Sequence, residues 1–158
     1  MTLQQLRKSV WRVPLISLAA GLLYTTCYVH IVLRFGVIEP GVIDDTVSLL
    51  TSGLLMLATL ILGWLFLLRK QTRKEIFLSA SVVVAYGLLL WIVQYLTGST
   101  TGPAGVVFMH LYKPLEWMGF FSELGLYMKE HVGFSIPLIG YLHFFVPCLF
   151  VLYGRKNT

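Results

Sequence analysis

TVSLLTSGLLMLATLILGWLFLL, RKQTRKE, IFLSASVVVAYGLLLWIVQYL: the run from Thr46 to Leu96 holds two charge-free apolar stretches, Thr46–Leu68 and Ile76–Leu96, separated by a turn that carries Arg69, Lys70, Arg73 and Lys74. Wound as α-helix at 1.5 Å per residue, each stretch covers about 30 Å, the hydrocarbon thickness of a bilayer. Lipid offers the backbone no hydrogen-bond partners, so such a stretch crosses as a helix. The absence of strict period-two alternation excludes a barrel. The short turn makes the two helices antiparallel neighbours.

Two further charge-free runs flank this pair, Val13–Leu33 and Gly133–Tyr153. The expected fold is therefore all-α: an integral membrane four-helix bundle forming a single transmembrane domain over residues 1–158, with an outer amphipathic, interfacial helix between spans three and four. Composition agrees, since 57% of the residues are hydrophobic and 12% charged, against about 25% charged in an ordinary soluble domain. Arg7, Lys8 and Arg12 precede the first span, and Arg155 and Lys156 follow the fourth. With the four cations of the central turn they lie on one side, while Arg34, Lys113 and Lys129 fall on the other. The positive-inside rule places the larger group, and with it both termini, in the cytoplasm, and the expected location is the cell membrane. The net charge of +5 is accounted for by cations beside lipid headgroups and points to no nucleic-acid partner. The first apolar run is longer than a signal-peptide core and lacks an A-x-A-like site, so it is expected to stay as an anchor.

The connections differ in character. Between Arg34 and Asp45, Glu39, Pro40 and Gly41 read as a turn, and Asp44 and Asp45 are placed to cap the helix that begins at Thr46. Thr97–Val132 is longer than structureless loops usually run, which implies order or function. Its segment from about 104 to 131 is amphipathic. Glu116, Glu123 and Glu130 recur every seven positions, one polar face of a helix, while Trp117, Phe120 and Phe121 suit the membrane interface or a partner surface. A re-entrant placement against the bundle is the alternative.

Residues able to do chemistry are few. None of the four apolar runs contains Asp, Glu, Lys or Arg, whereas ion and proton pathways need an ionisable group within the membrane. No nucleophile elbow, H-E-x-x-H, C-x-x-C or phosphate-binding loop occurs, which leans against an enzyme and implies no cofactor or metal site. Cys27 and Cys148 fall at depths too different for a disulfide. Pro137 and Pro147 are expected to kink the last span. His143 lies beside the carbonyl that Pro147 would leave without a donor, so His143, with or without His30, is the candidate for haem, metal or quinone. The pairs Ser17 and Gly21, Ser48 and Ser52, and Ser81 and Ala85 follow the small-xxx-small pattern that lets helices approach closely. The leading expectation is a non-enzymatic structural or accessory membrane subunit that contacts lipid, a membrane protein partner or a second copy. A redox component using His143 and a small channel or lipid transporter are the alternatives.

Overall fold

A computed structural model describes residues 9–39, 42–98, 102–133, 139 and 141–155. The chain is mostly helical. Three helices are long and apolar enough to cross a membrane: α1 (Arg12–Phe35), α2 (Asp45–Gly63, continued by a π-helical turn, Trp64–Leu68) and α3 (Arg73–Thr97). Between α1 and α2, β1 (Val37–Glu39) and β2 (Val42–Ile43) form a two-stranded antiparallel ribbon; Pro40 and Gly41 of the expected turn lie outside the described residues. Asp44 then caps α2 as its carboxylate accepts from the amides of Thr46 (2.8 Å) and Val47 (3.3 Å). At the other end of α2, a capping box of Thr72 and Glu75 starts α3, each side chain accepting from the other's backbone amide.

The surface is inverted relative to a water-soluble bundle. Large apolar side chains point outward along all three helices, Phe66 at 79% and Leu54 at 68% exposed. Small and hydroxyl residues point inward: Ser17 and Gly21 on α1, Ser48, Thr51 and Ser52 on α2, Ser79 and Gly87 on α3. Such faces bring backbones close together. Ser79 pins the start of α1, accepting from the amide of Val13 (2.9 Å) and donating to the carbonyl of Val10 (2.7 Å).

Cations gather at one end. Arg12 donates to the carbonyl of Leu67 at 2.8 Å. The chain at Gly154 and Arg155 pairs with the turn between α2 and α3 through Arg155 N to Gln71 O (3.0 Å), Arg73 N to Arg155 O (3.1 Å) and the Arg73 guanidinium to Gly154 O (3.3 Å). This basic end therefore holds Arg12, Arg69, Lys70, Arg73, Lys74 and Arg155; Arg7, Lys8 and Lys156 lie outside the described residues.

The last apolar run departs from expectation. Of its described residues, Ile139 and Tyr141 are α-helical, whereas Leu142–Tyr153 is a 3₁₀ helix rather than an α-helix. Two pins explain the winding. Tyr141 packs edge-on against Trp91 of α3, 5.8 Å between ring centres, and Arg155 bridges to Thr72 just before α3 begins. The stretch of α3 between those pins rises about 28 Å at 1.5 Å per residue, and residues 141–155 match it only at about 2.0 Å per residue, the 3₁₀ rise. Pro147 lies buried inside this helix. In the 3₁₀ register its missing amide deprives the carbonyl of Phe144, not that of His143, of a helical donor. Pro137 lies outside the described residues.

Candidate functional site

The segment after α3 is not a single surface helix. It comprises α4 (Gly102–Tyr112), a 3₁₀ turn (Lys113–Met118) and α5 (Phe120–His131). Tyr86 of α3 donates to the carbonyl of Leu111 at 2.7 Å, so α4 runs inward along α3. The turn packs on α1 and α5 returns along α2. Pro at the start of the turn and Gly119 after it set these bends. The result is a helical hairpin packed against α1, α2 and α3.

How deep it reaches follows from Gly21. A β-carbon there would lie 1.9 Å from the carbonyl oxygen of Lys113, so only glycine admits the tip. Gly21 is 14 residues before the end of α1 at Phe35, about 21 Å along a helix about 36 Å long. The tip thus passes the middle of α1. Leu115, Trp117 and Met118 are buried with Phe150 and Val146 of the last helix, and the Trp117 and Phe150 rings lie 5.9 Å apart.

Within 104–131 the buried apolar residues are those of the turn, Leu115, Trp117 and Met118, whereas Val106, Val107 and Met109 on α4 and Leu126 on α5 are exposed. Trp117, expected to touch a partner, is 0% exposed within the chain. Phe120 and Phe121 are half-buried and stack edge to face at 5.4 Å, with Phe120 against Gly53 of α2.

With the hairpin come two carboxylates. Thr25 of α1 hydrogen-bonds Glu116 Oε2, and its hydroxyl also lies 3.0 Å from the carbonyl of Gly21. One hydroxyl proton cannot serve both acceptors at once, so the Thr25 hydroxyl is shared between Glu116 and the Gly21 carbonyl. Shallower, at the start of α2, Ser48 donates to Glu123 Oε2 at 2.9 Å and also bonds the Tyr28 hydroxyl. Since the serine proton goes to the carboxylate, Tyr28 donates to Ser48, a relay of tyrosine, serine and glutamate. Tyr24 stacks on Tyr28 at 5.3 Å and 14°. Glu130, third of the heptad-spaced acids, is exposed.

Sequence reasoning found no ionisable group in the four apolar runs; the hairpin brings the chain at Lys113 and Glu116 alongside the middle of α1 and Glu123 to the first turn of α2. Matched small faces on α1 and α2, together with Pro114 and Gly119, were the available signal. On the hairpin's other flank, Glu116, Tyr112, Gln94 and the first turns of α4 line a cavity of about 540 Å³. An apolar groove of about 350 Å³ separates α1 from α2 nearer the basic end.

The histidines stand apart. His30 is exposed on α1, its Nδ1 2.9 Å from the carbonyl of Thr26. His143 is half-buried, with its ring 3.9 Å from that of Phe144. Phe144 in turn faces Gly87, about 15 Å from the far end of α3 by helical rise, whereas His30 is about 7 Å from the far end of α1. Cys27 and Cys148 are both free. Among the described residues no three His, Cys, Asp or Glu side chains form a metal-holding group.

Comparison with protein families, curated proteins and solved structures gives no match to this chain.

Proposed function

We propose that this chain is an integral membrane protein that moves a cationic solute across the bilayer, with α1, α2, α3 and Gly133–Tyr153 as four spans and the basic end in the cytoplasm. The observation that carries the reading is the hairpin, whose tip at Lys113 passes the middle of α1 beside Gly21 and which holds Glu116 against Thr25, about 15 Å from the far end of α1. Carboxylates at membrane depth are expensive to keep and line ion or substrate paths. Irregular backbone at such depth is tolerated where it is covered by protein or lines a wet cavity, and the turn Lys113–Met118 meets both conditions. A purely structural hairpin would be better served by apolar residues at both positions. The outward Leu and Phe side chains of α1–α3 support a lipid surround, and the cations gathered at one end support the orientation.

Purified protein reconstituted in liposomes tests this. Imposed gradients of protons, potassium and tetraethylammonium are followed in parallel. At least one should dissipate faster than in protein-free liposomes, and Glu116→Gln should slow it by about ten-fold or more, the scale of a lost charge at a transport site. Flux equal to protein-free liposomes for all three ions overturns the proposal and returns a structural role to first place. A redox role for His143, with or without His30, has its own signature: an absorption band of bound haem that His143→Ala removes.

A further inference from the structure

The cavity beside the hairpin suggests what enters. It lies between α3 and α4, with Gly102 and Gly105 at its mouth, Gln94 and Met109 on its walls, and Tyr112 and Glu116 at its floor. Gly102 opens α4 beside the far end of α3, and Tyr112 is ten residues on, about 15 Å deeper by helical rise. The cavity is therefore an open-sided shaft, with Val106 and Met109 more than half exposed along it, from the end opposite the cations toward Glu116. Among the described residues Glu116 is bonded through Oε2 alone, to Thr25, which leaves Oε1 for a ligand.

We infer that this shaft is a binding site for a small organic monocation, such as a substituted ammonium, admitted from the far end and held by Glu116; the inference rests on the transport reading and names its substrate class. Volume argues for an organic ligand, since about 540 Å³ falls in the range of small-molecule sites and far exceeds a bare ion. Charge argues for one positive unit, because a single carboxylate faces the shaft and a half-buried carboxylate is stabilised by an opposite charge. A hard divalent cation needs several converging oxygens, and this wall supplies one carboxylate, one amide and one phenol. The remaining surface suits alkyl groups: Val106 and Met109 are apolar, and Tyr112 presents an aromatic ring on which a cation can rest.

The test is calorimetric titration of the full-length protein in lipid nanodiscs with tetraethylammonium chloride. Saturable binding is expected, weakened about ten-fold or more in Glu116→Gln and unchanged in Glu130→Gln, which removes an exposed carboxylate outside the shaft. Met109→Trp, which fills the shaft without altering charge, should abolish it, and this variant decides the matter if Glu116→Gln does not fold. No saturable binding, full binding in a folded Glu116→Gln, or displacement by an equal concentration of sodium overturns the inference. Ion flux in liposomes without tetraethylammonium binding sinks the substrate class and spares the transport reading; binding without flux does the reverse.

Discussion

Replacing Gly21 with alanine tests the approach on which the hairpin depends. The new β-carbon would stand 1.9 Å from Lys113 O, 2.8 Å from Lys113 C and 2.9 Å from Pro114 Cα. Ordinary contact begins near 3.4 Å, so the tip has to retreat by about 1.5 Å, and no rotamer change helps because all three atoms are backbone. Overpacking of this kind costs about 1–3 kcal/mol, while alanine's advantage over glycine within a helix offsets at most about 1 kcal/mol. The expected net loss is about 1–2 kcal/mol, and the retreat draws Glu116 away from Thr25. Unfolding of the detergent-solubilised protein by added sodium dodecyl sulfate, followed by tryptophan fluorescence, reads the stability. A Gly21→Ala variant as stable as the parent, or more so, would show that helix propensity alone is acting and that the hairpin tip is elsewhere.

Three other outcomes follow from the same packing. Trp117→Ala should destabilise by about 3–5 kcal/mol, measured in the same titration, whereas Trp117→Phe should lose far less. Among the described residues the buried indole N–H has no hydrogen-bond partner, so removing it sheds an unsatisfied donor along with some ring volume. Asp44→Ala should cost about 1 kcal/mol through the two amides it leaves uncapped at the start of α2, visible as faster hydrogen exchange at Thr46 and Val47. In a cysteine-free background, Glu130→Cys should react with a membrane-impermeant maleimide on intact cells and Lys70→Cys only after permeabilisation; the opposite pattern refutes the orientation.

The apolar runs announced α1, α2 and α3 because length and lack of charge are all that a lipid-spanning helix requires. Asp44 announced its cap for an equally local reason. The hairpin was hidden by an ambiguity in amphipathicity itself. Glu116, Glu123 and Glu130 at seven-residue spacing describe a polar stripe, but they do not say whether the apolar remainder meets lipid or other helices. That choice was made by distant residues, Gly21 and Gly53, whose missing side chains open the space for Lys113 and Phe120. The histidines are conspicuous among apolar residues in the sequence, but their surroundings are not legible there: His30 is exposed, with its Nδ1 against a carbonyl of its own helix. The 3₁₀ winding of Leu142–Tyr153 is invisible in composition because it is fixed by contacts at Trp91 and Thr72.

That winding gives the last helix a property the others lack. A strut of 12 residues that rewinds from three residues per turn to 3.6 contracts by about 6 Å. Held at Tyr141 and hooked through Arg155 to the start of α3, it behaves as a drawn cord: any rearrangement that lets go of either anchorage permits shortening, and shortening would drag Phe150 and Val146 past the buried face of Trp117, at the tip that carries Glu116.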